Sequence, residues 1–176
     1  EEGSLLISDR VSRYLPAFSN TTVAVADGDD DYEVVEADRA VTLRDLLTHT
    51  AGVGYGDGAG AAEWAEAEVQ GWYFAHRDEP IRATVDRIAS LPFDRQPGGA
   101  FVYGYSTDIL GAVVEAVSGL TLDAFLRSHI FEPLEMKSTG FYLDPDLRGD
   151  LATVYSLRAG QGLVRAPDGP GMQTQG

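Results

Sequence analysis

The stretch "PGGAFVYGYSTDILG", Pro97 to Gly111, decides how this chain is read. It sets Tyr103 and Tyr105 two residues apart in a Gly-rich turn that opens onto an apolar helix. A phenol titrates near 10 and is a poor base in water. It becomes a useful one where nearby positive charge stabilises the phenolate and where it lies within hydrogen-bond reach of the proton it takes. A tight turn at a helix entrance can hold a phenol in that way. Aromatic residues ahead of a helix also serve as core or staple residues. On residue type alone the packing role is the favoured one for both tyrosines.

Working outward, the clearest helix follows at once. From about Thr107 to Val117, Ile109, Ala112, Val113, Ala116 and Val117 share one apolar face, and Ser118-Gly119 end it. Thr121 caps the next helix, with Leu122, Phe125, Leu126 and Ile130 on its expected buried side, until Pro133. Upstream, Pro80 is placed to start a helix reaching about Leu91. Ala61 to His76 is Ala/Glu-rich and reads as helical, and Thr42 is a good N-cap for Leu43–Leu47, which ends near Gly52. Thr21–Ala26 and Tyr32–Val35 flank the acidic loop "DGDDD" at 27–31 and read as a hairpin. Ser8–Tyr14 reads as a short helix stopped by Pro16. The pattern is α+β and mostly helical.

Composition narrows the function. The chain has 176 residues, 44% of them hydrophobic, which suits one domain or a large part of one with a real core. Its 28 acidic and 13 basic residues give a formal net charge of −15, which repels phosphate backbones and argues against nucleic-acid binding. Lys137 is the one lysine; the other basic residues are arginines, a pattern that fits halophilic solvation and codon bias equally. No apolar run reaches membrane-spanning length. With no cysteine, disulfides, thiolate metal sites and a Cys nucleophile are excluded.

Several cofactor and metal readings fail on spacing. Gly54, Gly56 and Ala59 have G-x-G-x-x-A spacing, but a short helix rather than a strand precedes them. Asp27, Asp29 and Asp31 resemble a calcium loop, yet Tyr32 stands where its glycine belongs and Asp38 where its last Glu belongs. His49, His76 and His129 lack metal-ligand spacing. No metal and no cofactor is expected.

Two long segments resemble one family in order. "VTLRDLLTHTAGVGYG" (Val41–Gly56) is similar to the T-x-x-D-L-L-T-H-T-S-G segment of serine hydrolases with the β-lactamase-like, penicillin-recognising fold. The run from Pro97 to Phe141 resembles their P-G-x-x-W-x-Y-S-x-x-x-D-V-L-G segment and the helix and "I-F-x-P-L-G-M-x-x-T-x-F" that follow. The likeness is weak over residues 19–40 and 57–95. Counted from Pro97 and back from Asp108-Ile109-Leu110-Gly111, the family's catalytic tyrosine falls on Tyr103. Tyr105 is the rival, since "YST" is similar to the family's Y-S-N, but it shifts the spacing on both sides by two.

The resemblance implies acyl transfer. Ser and Lys of an S-x-x-K motif lie one helical turn apart, and the lysine ammonium lowers the tyrosine pKa. The tyrosine takes the Ser proton, backbone N–H groups hold the oxyanion, and water deacylates the enzyme. It implies Tyr103 as base, Tyr105 lining the acyl or alcohol pocket, His49 to Gly52 as structural support, and a small ester or amide substrate. Class C β-lactamases and D,D-peptidases place a substrate-contacting Asn where Tyr105 stands, whereas family VIII esterases tolerate other residues. Ester substrates are therefore favoured over β-lactams or peptides; a non-catalytic binding or assembly relative is the rival outside the enzymes. This chain contains no S-x-x-K. It reads as the middle of such an enzyme over 1–176, a helical lobe without nucleophile helix or most of the β-sheet, closing in a Gly/Pro-rich stretch at 160–176. Alone, it is expected to be inactive.

Overall fold

Thr42 opens the helix that organises the molecule. In the computed structural model, which describes residues 3–28, 31–70 and 79–165, helix α1 (Leu43–Leu47) starts with a reciprocal capping box. The Thr42 hydroxyl accepts from the Asp45 amide, and the Asp45 carboxylate accepts from the Thr42 amide at 2.9 Å. Two otherwise orphaned amide donors are satisfied, which lets so short a helix hold its shape.

Strands β1 (Thr22–Ala26) and β2 (Tyr32–Glu36) form the expected antiparallel hairpin, in register Thr22 to Glu36. Phe93 adds to the other edge of β1: its amide donates to Thr22 O and its carbonyl accepts from the Ala24 amide. Helices α2 (Ala61–Glu66) and α3 (Ile81–Ile88) contribute Trp64, Thr84, Val85 and Ile88 to the interior. Helix α4 (Ser106–Ser118) buries Ile109, Ala112 and Val113 against α1 and α3, and Gly119 closes it. The apolar face read from the sequence is the face that packs.

Among the described residues, every buried apolar side chain lies between Val11 and Val113. Beyond Gly119 the character changes. Helix α5 (Leu122–Leu126) runs into a wider π-type turn, Arg127–Phe131, and neither holds a buried residue. Strands β3 (Tyr155–Arg158) and β4 (Gly162–Arg165) pair antiparallel, with Leu157 81% and Leu163 73% exposed.

Four expectations need correction. The segment expected to be a helix at Ser8–Tyr14 is a 3₁₀ turn, Val11–Arg13, and Pro16 begins a second one, Pro16–Asn20. Proline's fixed φ suits a first helical position, so it starts a turn here instead of ending one. Helix α2 ends at Glu66, and Glu68 is left-handed with φ 56°, which breaks the run toward His76. His76 itself, Asp29 and Asp30 of the acidic loop, and residues 166–176 lie outside the described residues. Ile130, expected on a buried face, is exposed.

Candidate active site

Two loops are laced together by their backbones. The Asp94 amide donates to Gly52 O at 2.8 Å, Gly98 to Thr50 O at 2.7 Å and Val102 to His49 O at 2.8 Å. They touch closely enough to exclude side chains at two points. A Cβ on Gly52 would lie 1.9 Å from Arg95 O, and one on Gly104 would lie 2.4 Å from Val53 O. Both obstacles are backbone, so glycine is required for the loops to meet.

Asp45 anchors this arrangement from below. Arg39 grips its carboxylate with two hydrogen bonds of 2.7 and 2.8 Å, and the Thr42 hydroxyl donates at 2.7 Å. The Thr50 amide reaches back to Asp45 O at 2.8 Å. Burial opposes charge on Asp45, but the Arg39 and Thr42 hydrogen bonds outweigh it and hold the carboxyl at about 2.

On this base the two tyrosines part. Tyr103 is 64% exposed. Its ring stacks on His49 with centroids 5.0 Å apart and meets Tyr55 edge to face at 5.8 Å. Tyr105 is 1% exposed. It stacks on Trp64 at 6.0 Å and receives Tyr55 edge-on at 4.9 Å. Tyr105, expected to line a substrate pocket, is here enclosed by Tyr55 and Trp64. The chain enters α4 at Tyr105, and that entry swings its ring inward onto α2, where it is a core residue.

His49 lies against Tyr103. It adopts a left-handed φ of 53°, uncommon for a residue with a Cβ, directly beneath Tyr103. Its Nδ1 is buried with no hydrogen-bond partner among the described residues. Tyr55 was missed by sequence reasoning, although it is a second aromatic residue a few positions past the T-H-T-A-G run. It is half-buried and touches both tyrosines. Burial pushes its phenol above the ordinary range, and interaction with Tyr103 and the charge of Asp108 add to that. Burial also pushes the Asp108 carboxyl up.

The Gly54 loop is no phosphate cradle. The Asp94 carboxylate lies over it, within 2.1 Å of where Cβ atoms on Gly54 and Gly58 would be, and a carboxylate there repels a phosphate. Among the described residues, no group of three or more His, Asp or Glu side chains is arranged to hold a metal ion. No single helix among them is long and apolar enough to cross a membrane.

The Beta-lactamase family model matches residues 1–175. The chain belongs to that family. Among its relatives, esterase EstB of Burkholderia gladioli is 34% identical over 79% of this chain and 33% of its own length. The lovastatin esterase of Penicillium rubens is 30% identical over 86% of this chain and 36% of its own. The solved structure of EstCE1, a hydrolase with promiscuous acyltransferase activity, superposes with a TM-score of 0.74 at 27% identity, covering 96% of this chain and 40% of EstCE1. The chain thus spans about a third to two fifths of the length of these relatives. Its helices and small sheets match part of the β-lactamase/transpeptidase-like fold, as the resemblance implied.

Proposed function

We propose that this segment belongs to a serine hydrolase that cleaves esters through an acyl-enzyme, with Tyr103 as its general base. The observation that carries the reading is the exposure of Tyr103. It is the one of the two motif tyrosines that can reach a substrate, and His49 and Tyr55 hold its ring from two sides. In the proposed cycle a serine of the longer protein attacks the ester carbonyl while its proton passes to the Tyr103 oxygen. Collapse of the tetrahedral intermediate sends that proton to the leaving alkoxide. Water repeats the sequence on the acyl-enzyme, giving up its proton through the same phenol.

Two observations support an ester over a β-lactam. The position that holds a substrate-contacting Asn in class C β-lactamases is the buried Tyr105, so no amide is presented there. Two named relatives at 30% identity or more are esterases, whereas the putative D-alanyl-D-alanine carboxypeptidase of Salmonella schwarzengrund is 27% identical. Parallel assays of the intact protein on a short-chain aryl ester and a cephalosporin test the assignment. Ester turnover at least about tenfold the higher in kcat/KM supports it, a difference of 1.4 kcal/mol in transition-state binding. The reverse order makes the protein a β-lactamase or D,D-peptidase, and turnover of neither of these nor of a D-alanyl-D-alanine peptide makes it a non-catalytic relative. The 176-residue segment alone is expected to hydrolyse neither; a rate above that of a Tyr103→Phe control overturns this.

A further inference from the structure

We infer that Tyr55 is a positioning residue for Tyr103, its hydroxyl donating a hydrogen bond to the Tyr103 oxygen as negative charge develops there. The inference rests on the reading of Tyr103 as the base.

Packing holds the Tyr55 ring beside Tyr103. The Tyr55 ring centroid lies 4.9 Å from that of Tyr105 and 5.8 Å from that of Tyr103, with the ring near perpendicular to both at 88° and 78°. Tyr105 is pinned in turn on Trp64, whose indole N–H donates to Pro92 O at 2.8 Å. The backbone is clamped on both sides. Gly104 presses on Val53 and Gly54, and a Cβ on Gly56 would lie 2.8 Å from the Trp64 Cβ. Neither ring can turn away without breaking this stack. A phenol whose ring is already held in place needs little reorganisation to donate when the charge appears.

The protonation states also suit the role. Burial pushes the Tyr55 phenol up, so it keeps its proton while its neighbour gives and takes one. No proton leaves Tyr55 in the cycle; only the strength of its hydrogen bond changes. Hydrogen bonds to ionised acceptors are about twice as strong as neutral ones, so the phenolate is favoured over the phenol. The other titratable groups near the pair are His49, stacked on Tyr103, and Asp108, which acts on Tyr55. Asp94 lies over the Tyr55 loop with Asp57 acting on it. Replacing Tyr55 by Phe leaves all four in place.

The test is Tyr55→Phe in the intact protein, followed by the pH profile of kcat/KM on an aryl ester. The acidic limb is expected to move up by about half to one pH unit. Activity on that limb falls about threefold to tenfold, while KM and the high-pH plateau stay near wild type. A Tyr105→Phe control, which also removes a phenol hydroxyl, leaves the limb where it was. A limb that does not move in Tyr55→Phe overturns the inference. Carbon NMR of ring-labelled tyrosine, with Tyr103 assigned through Tyr103→Phe, reads the same shift without turnover. If Tyr103→Phe keeps full activity, the base reading fails. The NMR midpoint of Tyr103 then decides alone: an upward move in Tyr55→Phe supports the hydrogen bond, and a fixed midpoint removes it. Should Tyr55→Phe not fold, the wild-type spectrum decides. The Tyr55 ring carbon must respond at the Tyr103 midpoint, and silence there contradicts the inference.

Discussion

The outer and inner sides of one turn behave as different parts of the molecule. Tyr103 stands in solvent on the outer side, and Tyr105, two residues on, is enclosed on the inner side. In an extended strand, residues two apart share a face. Here the chain passes from extended backbone into helix α4 at Tyr105, and Gly104 lets it press against Val53 and Gly54 as it turns. The period breaks at that point. One aromatic is left exposed, and the other is enclosed in the core.

If this division is right, the two positions answer to different measurements. The largest stability effect belongs to the inner side. Tyr105→Ala should cost about 3–4 kcal/mol in denaturant unfolding, the range for deleting a large buried aromatic ring. Tyr103→Ala should cost under about 0.5 kcal/mol. Equal costs would erase the distinction.

Asp45 comes next, because the whole outer side rests on it. Its folded pKa of about 2 lies below the ordinary 3.8. A depressed carboxyl contributes stability that is complete above the unfolded value and is lost as pH falls through the folded one. The contribution is about 2 kcal/mol, lost between pH 3.8 and about 2. Asp45→Asn should therefore flatten the acid-unfolding curve in that window. A variant curve parallel to wild type would show that Arg39 and Asp45 do not anchor the loops.

Gly104→Ala sharpens the comparison at the hinge itself. The added methyl meets backbone at 2.4–2.5 Å, so the loops must separate. A cost of about 1–3 kcal/mol is expected, as for overpacking elsewhere. Activity should fall too, since the shift carries Tyr103 away from His49. A stable variant with normal turnover would show that the close contact is dispensable.

Much of the scaffold was legible from local chemistry. Thr42 and Asp45 stand at capping-box spacing, the apolar face of α4 recurs with helical period, and Gly119 marks its end. The β1–β2 hairpin follows from its β-branched runs around an acidic turn. Other features depend on contacts remote in sequence. Tyr105 is buried because Trp64 and Tyr55 come to it from 40 to 50 residues upstream, and nothing local records that. Pro16 looked like a stop because its fixed φ suits both ends of a helical pattern; the packing of Phe18 against Phe93 decides for a start. The β3–β4 hairpin was missed because its strands are four residues each, too short for the alternation of Tyr155 and Leu157 with Ser156 and Arg158 to stand out. In the candidate site, Tyr103 was singled out by motif spacing, whereas Tyr55 came into view only once the two loops were seen to touch.

The central claim is tested most directly by comparing Tyr103→Phe with Tyr105→Phe in the intact protein on an aryl ester. Loss of a general base predicts a kcat/KM for Tyr103→Phe at least about 100-fold below wild type with an unchanged melting temperature. Tyr105→Phe is predicted to keep turnover and to lose only stability. Turnover of Tyr103→Phe within about twofold of wild type, or a collapse of turnover in Tyr105→Phe at unchanged stability, would contradict the account.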